Sequence, residues 1–104
     1  MKKSALLCLV IGAVAASGAF AAGDPVAGKK KAFMCAGCHG APGYRAGYPE
    51  IFAEPKLGGQ HADYLVNALQ QYKNGERKFG TMENTAKALS DQDMADIAAY
   101  YAAQ

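Results

Sequence analysis

Apolar residues recur at helical spacing in two separate windows of the chain. In residues 61–75, HADYLVNALQQYKNG, the positions Leu65, Ala68, Leu69 and Tyr72 share one face of a helix, and Gly75 stands where a C-terminal cap belongs. Met94, Ile97, Ala98 and Tyr101 repeat the pattern near the end of the chain. Ser90 precedes them as an N-cap, and Asp91 and Asp93 lie at the positive end of that helix dipole. A further helix is predicted from Pro25 to Cys38, with Asp24 as N-cap and Pro25 at the first helical position, where its missing N–H costs nothing.

Polar and breaker residues separate these windows. Gly40, Pro42, Gly43, Gly47, Pro49, Pro55, Gly58 and Gly59 exclude regular structure through most of residues 40–60, which read as a long wrapping loop. Residues 75–89 read as a second irregular stretch, and no segment reads as a strand. The expected fold class is all-α, with about three main helices and long loops.

The first 21 residues follow another pattern. Lys2 and Lys3 precede the uncharged run ALLCLVIGAV, and Ala19-Phe20-Ala21 places small residues where a signal peptidase cuts. The run is too short to span a bilayer. Residues 1–21 are therefore expected to be a cleaved signal peptide, with the position after Ala22 the other cleavage point, leaving residues 22–104 as one domain without stable membrane insertion. Cys8 leaves with the leader; its neighbours Leu6, Leu7 and Leu9 lack the small residues of a lipoprotein signal.

Removing Lys2 and Lys3 from the 11 basic residues leaves 9 against 9 acidic ones, so the mature domain is near neutral. That balance gives no basis for nucleic acid as a partner, because phosphate backbones demand clustered positive charge. Lys29, Lys30 and Lys31 form the only basic run and read as the solvated side of a helix.

Such a short domain holds about a dozen sizeable apolar side chains, a thin core once conformational entropy is counted. Its two remaining cysteines stand in CAGCHG, residues 35–40, whose spacing serves three chemistries. A thioredoxin-like dithiol needs a strand before the motif, and here a helix precedes it. A structural zinc site would have to use Cys35, Cys38, His39 and His61, of which the adjacent Cys38 and His39 are awkward ligands for one tetrahedral ion. Haem attachment accounts for every residue of the motif. The two thiols add across the porphyrin vinyl groups, His39 faces the iron as proximal ligand, and the small Ala36 and Gly37 do not obstruct the macrocycle.

Residues 23–104 resemble class I cytochromes c, specifically the small bacterial monohaem kind that is similar to one half of the tandem dihaem cytochromes. The resemblance rests on CAGCHG, on PKLGGQHADYLVNALQQYKNGER (55–77), on a methionine in the following loop and on LSDQDMADIAAYY (89–101). It implies one covalent haem c held by Cys35 and Cys38, with His39 and Met82 as the iron ligands and the Pro55 carbonyl fixing the His39 ring. It also implies that Gly28 lets the last helix cross closely, with Tyr100 or Tyr101 against it. Gly80-Thr81 precedes Met82 here, where relatives often carry a proline, and GYPEIFAEPKLGGQ doubles the usual Tyr-Pro/Pro signal.

Among the other mature methionines, Met34 is tied to the attachment side and Met94 falls on the inward stripe of the last helix. His61 reads as an exposed histidine at a helix start. Arg45, Tyr44, Tyr48 and Gln60 are candidates for bonding the haem propionates, Arg45 as a charge partner. With both axial positions filled by protein the iron has no open site, so the expected role is a non-enzymatic electron carrier. The implied setting is the periplasm, in respiratory electron transport between a quinol-oxidising complex and a terminal oxidase or reductase. The alternatives are an electron-exit subunit of a larger dehydrogenase, and a haem enzyme or gas sensor with a displaceable distal ligand.

Overall fold

The computed structural model describes residues 22–40 and 55–104. The expected signal peptide at 1–21 and the propionate candidates Tyr44, Arg45 and Tyr48 lie outside this described part. Among the described residues five helices follow in order: α1 (Pro25–Lys31), α2 (Phe33–His39), α3 (Ala62–Asn74), α4 (Gly80–Lys87) and α5 (Asp91–Ala102). No strand occurs among the described residues, in agreement with the expected all-α class.

Local signals account for most of the helix ends. Asp24 caps α1 by accepting the Val26 N–H at 2.8 Å, with Pro25 at the first position. Gly75 closes α3 in the left-handed region at φ 83°, where a side chain would be strained. Ser90 and Asp93 form a reciprocal capping box on α5: the Asp93 N–H donates to Ser90 Oγ at 3.1 Å, and the Ser90 N–H donates to Asp93 Oδ2 at 2.9 Å.

Two expectations change. The helix predicted over Pro25–Cys38 is two helices joined at Ala32, where the Cys35 N–H reaches the Ala32 carbonyl at 2.9 Å, a three-residue step that tightens the turn. The stretch 75–89, expected to be irregular, contains α4, so Met82 lies on a helix. Glu83 stabilises that helix from its first turn by accepting the Phe79 N–H at 3.1 Å, near the positive end of the dipole. Ala86 buries fully. One buried alanine leaves no apolar period to read, which is why hydropathy patterning missed α4.

α5 is the spine of the fold, packed between α1 and α3. Ala32, Leu65, Ile97, Ala98 and Tyr101 form the buried cluster, with Cys35 and Leu57 packed against it. Met94 is fully buried, as its place on the inward stripe required. Gly28 makes the crossing of α1 and α5 possible. A Cβ there would stand 1.9 Å from the Asp96 carbonyl oxygen and 2.9 Å from Tyr100 Cβ, so Tyr100, rather than Tyr101, lies against it. Gly23 is equally close to the Ala95 carbonyl oxygen, a contact that no sequence pattern marked.

Polar links lock the same crossing. Lys31 Nζ sits 2.8 Å from Asp93 Oδ1 and 2.6 Å from Asp96 Oδ2, and the Asp24 N–H donates to Asp96 Oδ1 at 2.8 Å. Lys29 and Lys30 are exposed as the basic run predicted, whereas Lys31 turns inward toward α5. The Lys31 ammonium is the main cause that holds Asp93 well below the usual carboxylate range and lowers Asp96 from 3.8 to about 2; backbone and side-chain hydrogen bonds add to both. Carboxylates depressed in the folded state stabilise it above their unfolded pKa, and that contribution fades as pH falls through the folded value. The melting temperature is therefore expected to fall between about pH 4 and pH 2. A Lys31→Met variant should show a flatter decline over the same window, measured by circular dichroism melts across pH.

Candidate functional site

Cys35, Cys38 and His39 all lie on α2. At 3.6 residues per turn, the two thiols project from nearly the same side of the helix, one turn apart. Both cysteines are free thiols; Cys35 is half-buried against the core and Cys38 is exposed. Burial pushes the Cys35 thiol up, only partly countered by a backbone hydrogen bond. Burial also pushes the neighbouring Tyr101 phenol up to about 12, with smaller contributions from the charges of Cys35 and Tyr100. Gly40 ends the helix at φ 76°, its N–H on the Ala36 carbonyl at 2.9 Å.

His39 Nδ1 lies 2.9 Å from the Pro55 carbonyl oxygen, across 16 residues of chain. A carbonyl can only accept, so Nδ1 carries the proton, and in the neutral ring Nε2 keeps its lone pair for a metal. The donor set therefore suits a porphyrin iron. It offers two thiols one turn apart for covalent attachment, and beside them an imidazole whose far nitrogen is set by a hydrogen bond to act as ligand.

The rival chemistries lose their structural requirements. α1, a helix, precedes the motif where a dithiol fold needs a strand. No group of three or more His, Cys, Asp or Glu among the described residues converges to hold a metal ion, so Cys35, Cys38, His39 and His61 do not form a zinc site. His61 is exposed at the N-cap of α3, as its sequence context suggested.

Met82 is half-buried in the first turn of α4. Gln60, a candidate for the propionates, instead directs its side-chain amide to the Lys56 carbonyl. Sequence reasoning missed one feature of α2 beside the motif: Phe33 and Met34 are 84% and 78% exposed, an apolar pair on the surface directly before Cys35. No apolar period continues from this pair along α2, so hydropathy patterning carried no signal for it.

Comparison with known proteins agrees with this geometry. The profile of the cytochrome c family matches residues 25–102. The chain is 46% identical over 86 residues to cytochrome c4 of Pseudomonas aeruginosa, covering 83% of this chain and 41% of that one. It is 45% identical over 86 residues to cytochrome c-554(548) of Halomonas halodenitrificans, covering 80% of this chain and 99% of that one. It is also 33% identical over 90 residues to the thiosulfate dehydrogenase electron acceptor of Thiomonas intermedia, covering 84% and 36%.

The fold and the CxxCH site define a class I c-type cytochrome, similar to one half of a dihaem protein. The chain belongs to the cytochrome c family, and membership implies a covalently bound haem c. It spans about two fifths of the length of the cytochrome c4 it matches, at 41%, and nearly all of the shorter relative, at 99%.

Proposed function

We propose that this protein is a one-electron carrier rather than an enzyme, with one haem c in Met/His ligation. The observation that carries the reading is the His39–Pro55 hydrogen bond at 2.9 Å, formed beside two free thiols spaced for attachment. Cys35 and Cys38 would hold the group through thioethers, His39 Nε2 and the Met82 sulfur would bind its iron, and the Pro55 carbonyl keeps the proton on His39 Nδ1. When bound, the haem would supply a ferric/ferrous couple. With His39 and Met82 both on the iron, no position would be left for substrate or gas.

Residues 1–21 are the export signal and residues 22–104 the mature domain in the periplasm. No helix among the described residues is long and apolar enough to cross a membrane. Partners are other redox proteins in respiratory electron transport: a quinol-oxidising complex on one side and a terminal oxidase or reductase on the other. The likeness to an electron acceptor of thiosulfate dehydrogenase supports a dehydrogenase as a further donor. Such partners meet over small, transient interfaces, and the exposed Phe33 and Met34 offer apolar contact beside the attachment helix.

The test is a visible spectrum of the exported protein, oxidised and reduced. Sharp reduced bands with a weak red band in the oxidised form, the mark of a methionine–iron bond, are expected. A haem spectrum without the red band would replace Met82 by another donor or an open position, and absence of haem would return the cysteines to thiol chemistry.

A further inference from the structure

The Pro55 carbonyl that orients His39 sits in an exposed segment: Pro55 and Lys56 both face solvent. An exposed loop carbonyl holds a fixed place only if neighbouring backbone is tied down, and residues 55–60 show the ties. Leu57 packs on the core cluster, the Gly59 N–H donates to the Tyr101 carbonyl at the end of α5 at 2.9 Å, and the Gln60 N–H donates to the Leu57 carbonyl at 3.2 Å. Gly59, at φ 81°, makes the reversal that lets the segment close on itself. The remaining tie comes from a side chain: the Gln60 amide donates to the carbonyl of Lys56, the residue directly after Pro55.

We propose that Gln60 is a positioning residue for the proximal histidine, acting through the backbone rather than on the haem propionates. Its amide immobilises the peptide group next to the one that carries the Pro55 carbonyl, and so keeps that carbonyl on His39 Nδ1. A well-placed acceptor on Nδ1–H raises the donor strength of Nε2. A stronger donor favours ferric over ferrous iron. Gln60 therefore holds the reduction potential down while the Gly59–Tyr101 bond couples the same segment to the core. The inference rests on His39 being the axial donor.

Gln60→Met removes the donor at similar length, and Gln60→Asn keeps the amide but falls short of the Lys56 carbonyl. Both are to be studied as haem-loaded, exported protein. The expected results are a reduction potential raised by about a threefold change in the one-electron equilibrium, about 30 mV at ~59 mV per tenfold, and several-fold faster exchange of the His39 Nδ1 proton by NMR in the ferrous state. A lowered melting temperature with potential and exchange unchanged in either haem-loaded variant would overturn the inference, because packing alone then explains Gln60. If the wild type carries no haem, or its haem lacks a histidine donor, the ligand assignment falls and the inference falls with it.

Discussion

Gly28→Ala is expected to lower the melting temperature more than any other single-methyl change in α1. Its Cβ would stand 1.9 Å from the Asp96 carbonyl oxygen and 2.5 Å from the carbonyl carbon, and both are backbone atoms that cannot rotate away. Relief requires α1 and α5 to separate. That movement would disturb the Lys31 bridges to Asp93 and Asp96 and the Asp24–Asp96 hydrogen bond together. Overpacking costs typically ~1–3 kcal/mol and more where the neighbour is rigid, so ~3 kcal/mol is the expected loss. At 4–8 °C per kcal/mol for a domain of this size, the melting temperature falls by about 15 °C. Lys30→Ala is the control: that side chain is exposed on the same helix, and stability should stay within about 0.5 kcal/mol of wild type. Paired thermal melts of the two haem-loaded variants decide the matter, and equal melting temperatures would refute the close crossing.

The second large effect is electronic. In Met82→His the reduction potential is expected to fall by on the order of 0.2 V, about a quarter of the ~0.8 V span that axial ligands command. The direction follows because methionine paired with histidine raises the potential relative to two nitrogen donors. In Met82→Ala the red absorption band disappears and the reduced protein binds carbon monoxide at neutral pH, which the wild type does not. Met94→Leu keeps the potential, because Met94 is fully buried on α5 and serves as packing. Spectroelectrochemical titration of the three variants separates the two methionines. An unchanged potential in Met82→His would remove Met82 from the iron and reopen the sensor or enzyme reading.

The roles of the two methionines rest on different grounds. Met94 could be assigned to the core because its stripe partners Ile97, Ala98 and Tyr101 are buried with it. On α4 the fully buried position is Ala86 and Met82 is half-buried, and its place on the iron is what the resemblance to class I cytochromes c implies.

The primary structure by itself determined whatever depends on neighbours a few residues away. Asp24-Pro25, Ser90 with Asp93, and Gly75 act through hydrogen bonds and dihedral preferences within one turn, so α3 and α5 and the start of α1 were legible before any fold was known. The CAGCH motif was legible for the same reason, since thiol spacing and the adjacent imidazole are set by one helical turn. Tertiary structure alone decided the rest. Gly23 and Gly28 matter because another helix lies on them, Lys31 turns inward because Asp93 and Asp96 arrive from α5, and Gln60 gains a role because residues 55–60 dock on its end. Such contacts join residues up to 72 positions apart, as Asp24 and Asp96 are. Packing geometry creates them, and no local periodicity encodes which partner will be met.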